Sequence, residues 1–301
     1  MNEKLVVLLL AVAAVLILHF FPQIRDRLSP YISFYESDRV VTAADGDLAV
    51  HFIDVGQGDS ALIITPEQKI MLIDAGTFES KDYLTEYLKA CKITSIDYFV
   101  LTHPHADHIG GAAQIFDEFE VTNVILPDAV TDTSTYKKVL RKIEAEDCGV
   151  ITPEPKKEYS LGNARFTILG PVDTYPDVLN NMSVVIRLDY GSTSFLFTGD
   201  AETQSETDML DYFPASYFQA DVLKLGHHGS STSTSDEWLA AVRPKYAVVS
   251  CGKNNDYGHP HREIVSKLQT SGITWFRTDE SGSIVMSSDG KKITILSPDP
   301  T

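Results

Sequence analysis

His103-Pro104-His105-Ala106-Asp107-His108-Ile109-Gly110-Gly111 decides how the rest of the chain is read. Four side chains able to bind a transition metal fall within six positions of it. Imidazoles and a carboxylate together suit zinc, manganese or iron. In an extended loop His103 and His105, two apart, point the same way. The adjacent Asp107 and His108 diverge and can serve a second ion. Three of the chain's nine histidines lie here, a concentration that a polar surface loop does not require.

Outward from this stretch, Tyr98 to Leu101 reads as a buried strand that delivers it, and Ile109 to Phe119 as a helix behind it. The same grammar recurs at three other places. Ile70 to Ile73 runs into Asp74-Ala75-Gly76, Phe195 to Gly199 into Asp200, and Val222 to Gly226 into His227-His228-Gly229. Ligands of α/β proteins bind at the carboxyl ends of strands, and each glycine allows a sharp turn or close backbone approach. A lone Gly-Asp means little, but four such ends around HxHxDH describe one site.

The chain between these ends alternates strands and helices. Strands are expected over Leu48 to Val55, Ala61 to Thr65, Val124 to Leu126, Arg165 to Leu169, Tyr246 to Val249, and around Ile284 and Ile293. Ser183 to Leu188 and Ser194 to Phe197 form a hairpin around Tyr190-Gly191-Ser192. Helices are expected over Ser80 to Cys91, Thr135 to Ala145, Glu202 to Tyr212, Asp236 to Val242 and Glu263 to Gln269. There is no low-complexity segment and no short repeat.

The chain has 301 residues, 43% of them apolar, and a formal charge of −17. From Ala220 onward nine Lys/Arg stand against nine Asp/Glu, so the acidic excess lies before that point. Overall charge therefore gives no basic footprint for nucleic acid. The three cysteines form no CxxC and are no zinc site. Leu5 to Phe21 is an apolar run broken only by His19, without a small-x-small cleavage site after it. It reads as an uncleaved signal anchor, the lower limit of a membrane span. The expected organisation is an anchor over 1–28, a linker over 29–47 and one domain over 48–301. Arg25 and Arg27 stand just after the run, so the positive-inside count does not itself favour export of the C-terminal part.

The sequence resembles the metallo-β-lactamase-fold hydrolases from about residue 48 to 296. Asp74, the HxHxDH stretch, Asp200 and the histidine before Gly229 fall in that family's order. His51-Phe52-Ile53-Asp54-Val55-Gly56-Gln57-Gly58-Asp59-Ser60, Leu225 to Ser230 and Tyr257-Gly258-His259-Pro260-His261 are similar to the hydrolase domain of ComEC-type competence proteins. The resemblance implies an αββα sandwich with two divalent ions, zinc or manganese, at one edge of both sheets; the apolar run read above adds one transmembrane helix before it. Carried over, one ion is held by His103, His105 and Asp200, the other by Asp107, His108, Asp200 and His228. Asp200 bridges them, and Asp74 orients the ligand loop from behind. The family's third histidine is replaced by Asn181, an oxygen ligand that zinc favours less and manganese tolerates better. His227, next to the last ligand, would then support it or touch the substrate.

Two such ions can activate a bridging water without any serine or cysteine nucleophile. Asp107, His227 and His259 are the residues expected to take part in catalysis. His259 and His261 are candidates for protonating the leaving group, and His261 reads equally as a surface histidine. Gln57, Asp59, Lys224 and His261 are candidates for contacting the substrate, although Gln57-Gly58-Asp59 could merely make a turn. The leading expectation is a membrane-anchored phosphodiesterase or nuclease. Its substrate would be a phosphoester, DNA among the candidates, and its hydrolase domain would lie outside the cytoplasm, as in exported relatives. A carboxylic ester or lactone hydrolase is the alternative, and a non-catalytic module of DNA uptake or surface assembly is the alternative of another class.

Overall fold

The computed structural model describes residues 43–297 except residue 45. The expected anchor over Leu5 to Phe21 lies outside the described residues. Among those residues no helix is long and apolar enough to cross a membrane. From Leu48 the chain forms two stacked sheets with helices on their outer faces.

The first sheet has eight strands in the order β15-β14-β1-β2-β3-β4-β5-β6. These are β1 (Leu48–Phe52), β2 (Ala61–Ile64), β3 (Ile70–Ile73), β4 (Ser95–Val100), β5 (Glu120–Ile125), β6 (Gly149–Ile151), β14 (Ile284–Ser288) and β15 (Ile293–Ser297). The second has seven, β13-β12-β11-β10-β9-β8-β7. They are β7 (Glu158–Leu161), β8 (Ala164–Gly170), β9 (Val185–Tyr190), β10 (Thr193–Phe197), β11 (Val222–Lys224), β12 (Tyr246–Val249) and β13 (Thr274–Arg277). β3 to β6 run parallel, as do β10 to β13. Parallel strands covered on both faces read as unbroken apolar runs, which is why β3 is Ile-Met-Leu-Ile.

Alternation still decides which layer each side chain fills. Val50, Phe52, Met71 and Val100 face Phe166, Ile186, Phe195, Phe197 and Val248 in the core between the sheets. Phe52 meets Phe197 at 5.9 Å and Tyr98 meets Phe166 at 5.0 Å between ring centroids. Leu196, Leu223, Ala247 and Val249 face the other way, against Met209, Trp238, Val242, Ile264 and Leu268. Burying each of these large side chains contributes about 1.5–3 kcal/mol.

The helices, in chain order, are α1 (Lys81–Ala90), α2 (Ala106–Ile109), α3 (Ala112–Glu118), α4 (Ser134–Ala145), α5 (Thr203–Tyr212), α6 (Asp236–Val242), α7 (Arg262–Ser271) and α8 (Thr278–Ser281). The helix expected from Ile109 is instead divided into α2 and α3. Gly110 packs against Ala106 and Phe78, and Gly111 against Ala75, so closely that no Cβ fits. Asp107 and His108 therefore lie on a single helical turn and not in an extended loop.

Candidate metal centre

Four strand ends converge at one edge of the sandwich. β3 and β4 bring Asp74 and His103 from one sheet, and β10 and β11 bring Asp200 and the His227-His228 turn from the other. Gly199 has φ +51° and lets β10 turn into Asp200. The Asp200 backbone N–H is then held by Ser183 Oγ at 3.0 Å.

Asp107, His108, Asp200 and His228 place one ligand atom each within 4.8 Å of one another. His108 Nε2 lies 3.2 Å from Asp200 Oδ1, and His228 Nε2 lies 3.3 Å from Asp107 Oδ2 and 3.6 Å from Asp200 Oδ2. His108 Nε2, His228 Nε2 and Asp200 Oδ1 are buried without a directed hydrogen bond. Such atoms are costly to leave unsatisfied, and their donor set is one that a divalent cation satisfies. The residues present fit a metal ion.

His103 and His105 sit beside this group. His103 Nε2 is 3.0 Å from His105 Nδ1 and 3.7 Å from Asp200 Oδ2. His103 also packs on His108, with ring centroids 4.1 Å apart, so the pair adjoins the other ligand-type residues. Asp74 lies behind, where Oδ2 meets His108 Nδ1 at 2.7 Å and accepts from Thr102 Oγ at 2.6 Å, while Oδ1 accepts from Thr102 N at 2.8 Å. That contact orients the ring with Nε2 facing forward.

Electrostatics divides the histidines. Burial pushes His103 well below the usual imidazole range and also lowers His105. Burial opposes charge on His108 too, but Asp200 and Asp74 raise it well above that range. At His228 the same opposition is overcome by Asp200 and Asp59, giving about 10. Burial raises the Asp107 carboxyl, but His228 and His108 outweigh it and hold the group well below its ordinary value. The carboxylates thus favour positive charge at this point, the charge that cations would supply.

Around this group the other expected site residues divide. His227 Nδ1 faces Glu202 Oε1 at 3.1 Å, leaving Nε2 3.9 Å from Asp200 Oδ2. His259 stacks on His228 with centroids 6.0 Å apart, and its Nδ1 has no partner. Burial, with His228 and His227, lowers its pKa to about 4. At neutral pH it is a neutral ring that can offer one N–H. Asn181 is buried, and its amide oxygen accepts from Glu202 N at 2.9 Å.

The four candidates for substrate contact are engaged within the protein. Lys224 and Asp59 are 4% and 5% exposed and ion-paired to each other. Both nitrogens of His261 are engaged: Nδ1 accepts from Ser231 N at 2.8 Å and Nε2 donates to Tyr257 O at 3.1 Å. That clamps the loop after His228. Gln57 Oε1 accepts from Gly252 N at 2.9 Å, while its Nε2 has no partner. Sequence reasoning missed Thr102 and Ser183, whose hydroxyls hold Asp74 and Asp200. Their only signal was a hydroxyl residue at a strand end.

Residues 53–253 match the metallo-beta-lactamase superfamily, and the chain belongs to it. Its fold and site make it a metal-dependent hydrolase fold with a dinuclear-type candidate centre. Among curated relatives, ComE operon protein 3 of Bacillus subtilis is 35% identical over 78% of this chain and 32% of its own length. Competence protein ComA of Neisseria gonorrhoeae is 30% identical over 92% of this chain and 38% of its own. These relatives agree with a ComEC-type hydrolase domain. The chain spans about a third of the length of those relatives. Among solved structures, CmlA, a diiron β-hydroxylase of Streptomyces venezuelae, shares the fold with a TM-score of 0.52, at 17% identity, over 78% of this chain and 53% of its own.

Proposed function

We propose that the chain is a dinuclear metal-dependent phosphodiesterase acting on nucleic acid. In this reading residues 5–21 tether it to the cell membrane, with the hydrolase domain outside the cytoplasm. The observation that carries the chemistry is that His108 Nε2, His228 Nε2 and Asp200 Oδ1 are buried close together without a directed hydrogen bond. The choice of substrate draws on the resemblance to ComEC-type hydrolase domains, one relative being named a competence protein.

Two divalent ions, zinc or manganese, held by His103, His105, Asp107, His108, Asp200 and His228, would supply Lewis acidity and an activated water. The chain's own groups do the rest. Asp74 and Thr102 fix the His108 ring, and Glu202 turns His227 so that Nε2 faces the centre. His227 Nε2, on the side of Asp200, would lie beside the bound phosphate. The neutral His259 ring offers its N–H to the leaving oxygen, a role for geometry and hydrogen bonding without an imidazolium.

The test is a hydrolysis panel of single-stranded DNA, bis-p-nitrophenyl phosphate, phosphorylcholine esters and lactones with manganese and zinc. Cleavage of the phosphodiesters, abolished by chelator and by Asp200→Ala, is expected. Cleavage of lactones alone would overturn the substrate assignment. Protease treatment of intact cells tests the location: the proposal requires that the domain be digested.

A further inference from the structure

We propose that Asp59 and Lys224 form a buried positioning pair for one of the two ions, the one nearest His228. The proposal rests on the metal-centre reading above. β11 carries Lys224 and runs into the His228 turn, whereas Asp59 ends the turn after β1. Lys224 Nζ is paired with Asp59 Oδ2 and donates to Leu225 O at 2.9 Å. A charge at the buried end of an apolar strand is expensive without a partner, so the pair has to be explained by what it touches.

Asp59 reaches three loops of the centre. Its backbone N–H donates to Asp107 O at 3.2 Å, and its carbonyl accepts from Gly76 N at 2.9 Å, beside Asp74. Its Oδ1 lies 3.2 Å from His228 Nδ1. The directed hydrogen bond of that nitrogen goes to Ser250 O at 3.0 Å, and Oδ1 itself has none. The two roles are therefore separate. Ser250 O holds Nδ1, since only an N–H can face a carbonyl, and leaves Nε2 as the nitrogen that can bind an ion. Asp59 adds negative charge behind the ring, which makes the imidazole a better ligand.

Lys224 explains why Asp59 stays behind. Asp59, Asp74 and His108 themselves place ligand atoms within 4.8 Å of one another. An unrestrained carboxylate there would compete for the ion or disturb His108. The ammonium draws Oδ2 away toward Leu225. Gly58 completes the device, because a Cβ there would collide with Asp107 O. Lys224 acts only through Asp59, and Asp59 acts on the His228/Asp107 side of the centre, away from His103 and His105.

The experiment is calorimetric titration of manganese and of zinc into the chelator-stripped full chain. It compares wild type, Asp59→Asn, Lys224→Met and the double variant, with thermal unfolding of each metal-free protein. Asp59→Asn is expected to weaken one of the two ions about 10–100-fold and leave the other within about threefold. The double variant should be no weaker than Asp59→Asn, because both lesions lie on one route. If Lys224→Met does not fold, the other two variants decide. Unchanged affinity for both ions in Asp59→Asn, with only a lower melting temperature, would reduce the pair to packing and overturn the proposal. Equal weakening of both ions would overturn it too. A wild-type chain that binds no ion would instead overturn the metal-centre reading.

Discussion

His51 should make the domain acid-sensitive over a defined window. It lies on β1, on the side away from the intersheet core, with 1% of its surface exposed. Its Nδ1 is 2.9 Å from the Tyr87 hydroxyl of α1, while Nε2 is buried without a partner. Burial lowers its pKa from 6.5 to about 4. Between those values the unfolded chain binds a proton that the folded chain refuses. Stability from this group is therefore fully present above pH 6.5 and is lost as the pH falls toward 4. The difference of about 2.5 units corresponds to about 3 kcal/mol, a large share of a typical domain's 5–15 kcal/mol or so. Denaturant unfolding of the metal-free protein from about pH 7.5 to about pH 4.5 would show it. His51→Gln, neutral throughout, should start less stable than wild type and then lose less on acidification, the curves converging or crossing. Parallel curves across the window would refute the reasoning.

The same geometry sets three further outcomes. Asp200→Ala should weaken both ions by about 100-fold or more and abolish hydrolysis, as shown by metal content and turnover together; retention of two ions would remove Asp200 from between them. Gly58→Ala should cost about 1–3 kcal/mol in chemical unfolding and lower activity, because the added methyl displaces the carbonyl of Asp107. Asn181→Ala should cost about 1–3 kcal/mol through the orphaned Glu202 N–H and leave metal stoichiometry unchanged. Loss of one ion at unchanged stability would instead make the Asn181 amide a ligand.

The central strands were legible because burial on both faces leaves them mostly apolar, as in Ile70–Ile73 or Val222–Leu223. Their ends were legible because ligand-type residues come at once. The edges were not. β6 is mostly exposed, and β7 and β13 close the two ends of the second sheet with one hydrogen-bonded neighbour each. With one face or one flank in water, Glu158–Leu161 and Thr274–Arg277 carry no apolar run that distinguishes them from loops. The split between α2 and α3 was hidden because two glycines look like tolerated helix residues until their neighbours are known. Lys224 gave a signal that could be seen but not solved. A lysine between leucines in a strand demands a buried counter-charge, yet nothing local identifies Asp59, which reaches it only once the two sheets are stacked.

The turn bearing His227 and His228 shows how the remaining parts belong together. His227 has φ +48° and His228 φ +54°, and Gly229 continues at +79°. Left-handed backbone at consecutive non-glycine residues costs on the order of 1–3 kcal/mol apiece, so the turn persists only where its surroundings over-determine it. They do so on both sides. Ser230 N donates to His227 O at 2.8 Å, and His261 N donates to Gly229 O at 2.9 Å. The His261 ring then accepts from Ser231 N at 2.8 Å. The late Tyr257-to-His261 segment is thus a brace for a strained turn, and it carries His259 to the face of His228 in the same movement. The strain turns His228 Nε2 toward Asp107 and Asp200, while His227, one residue earlier, keeps its Nε2 farther out, where a substrate would approach. Adjacent histidines obtain different work because the backbone between them is held where a relaxed strand end would not go.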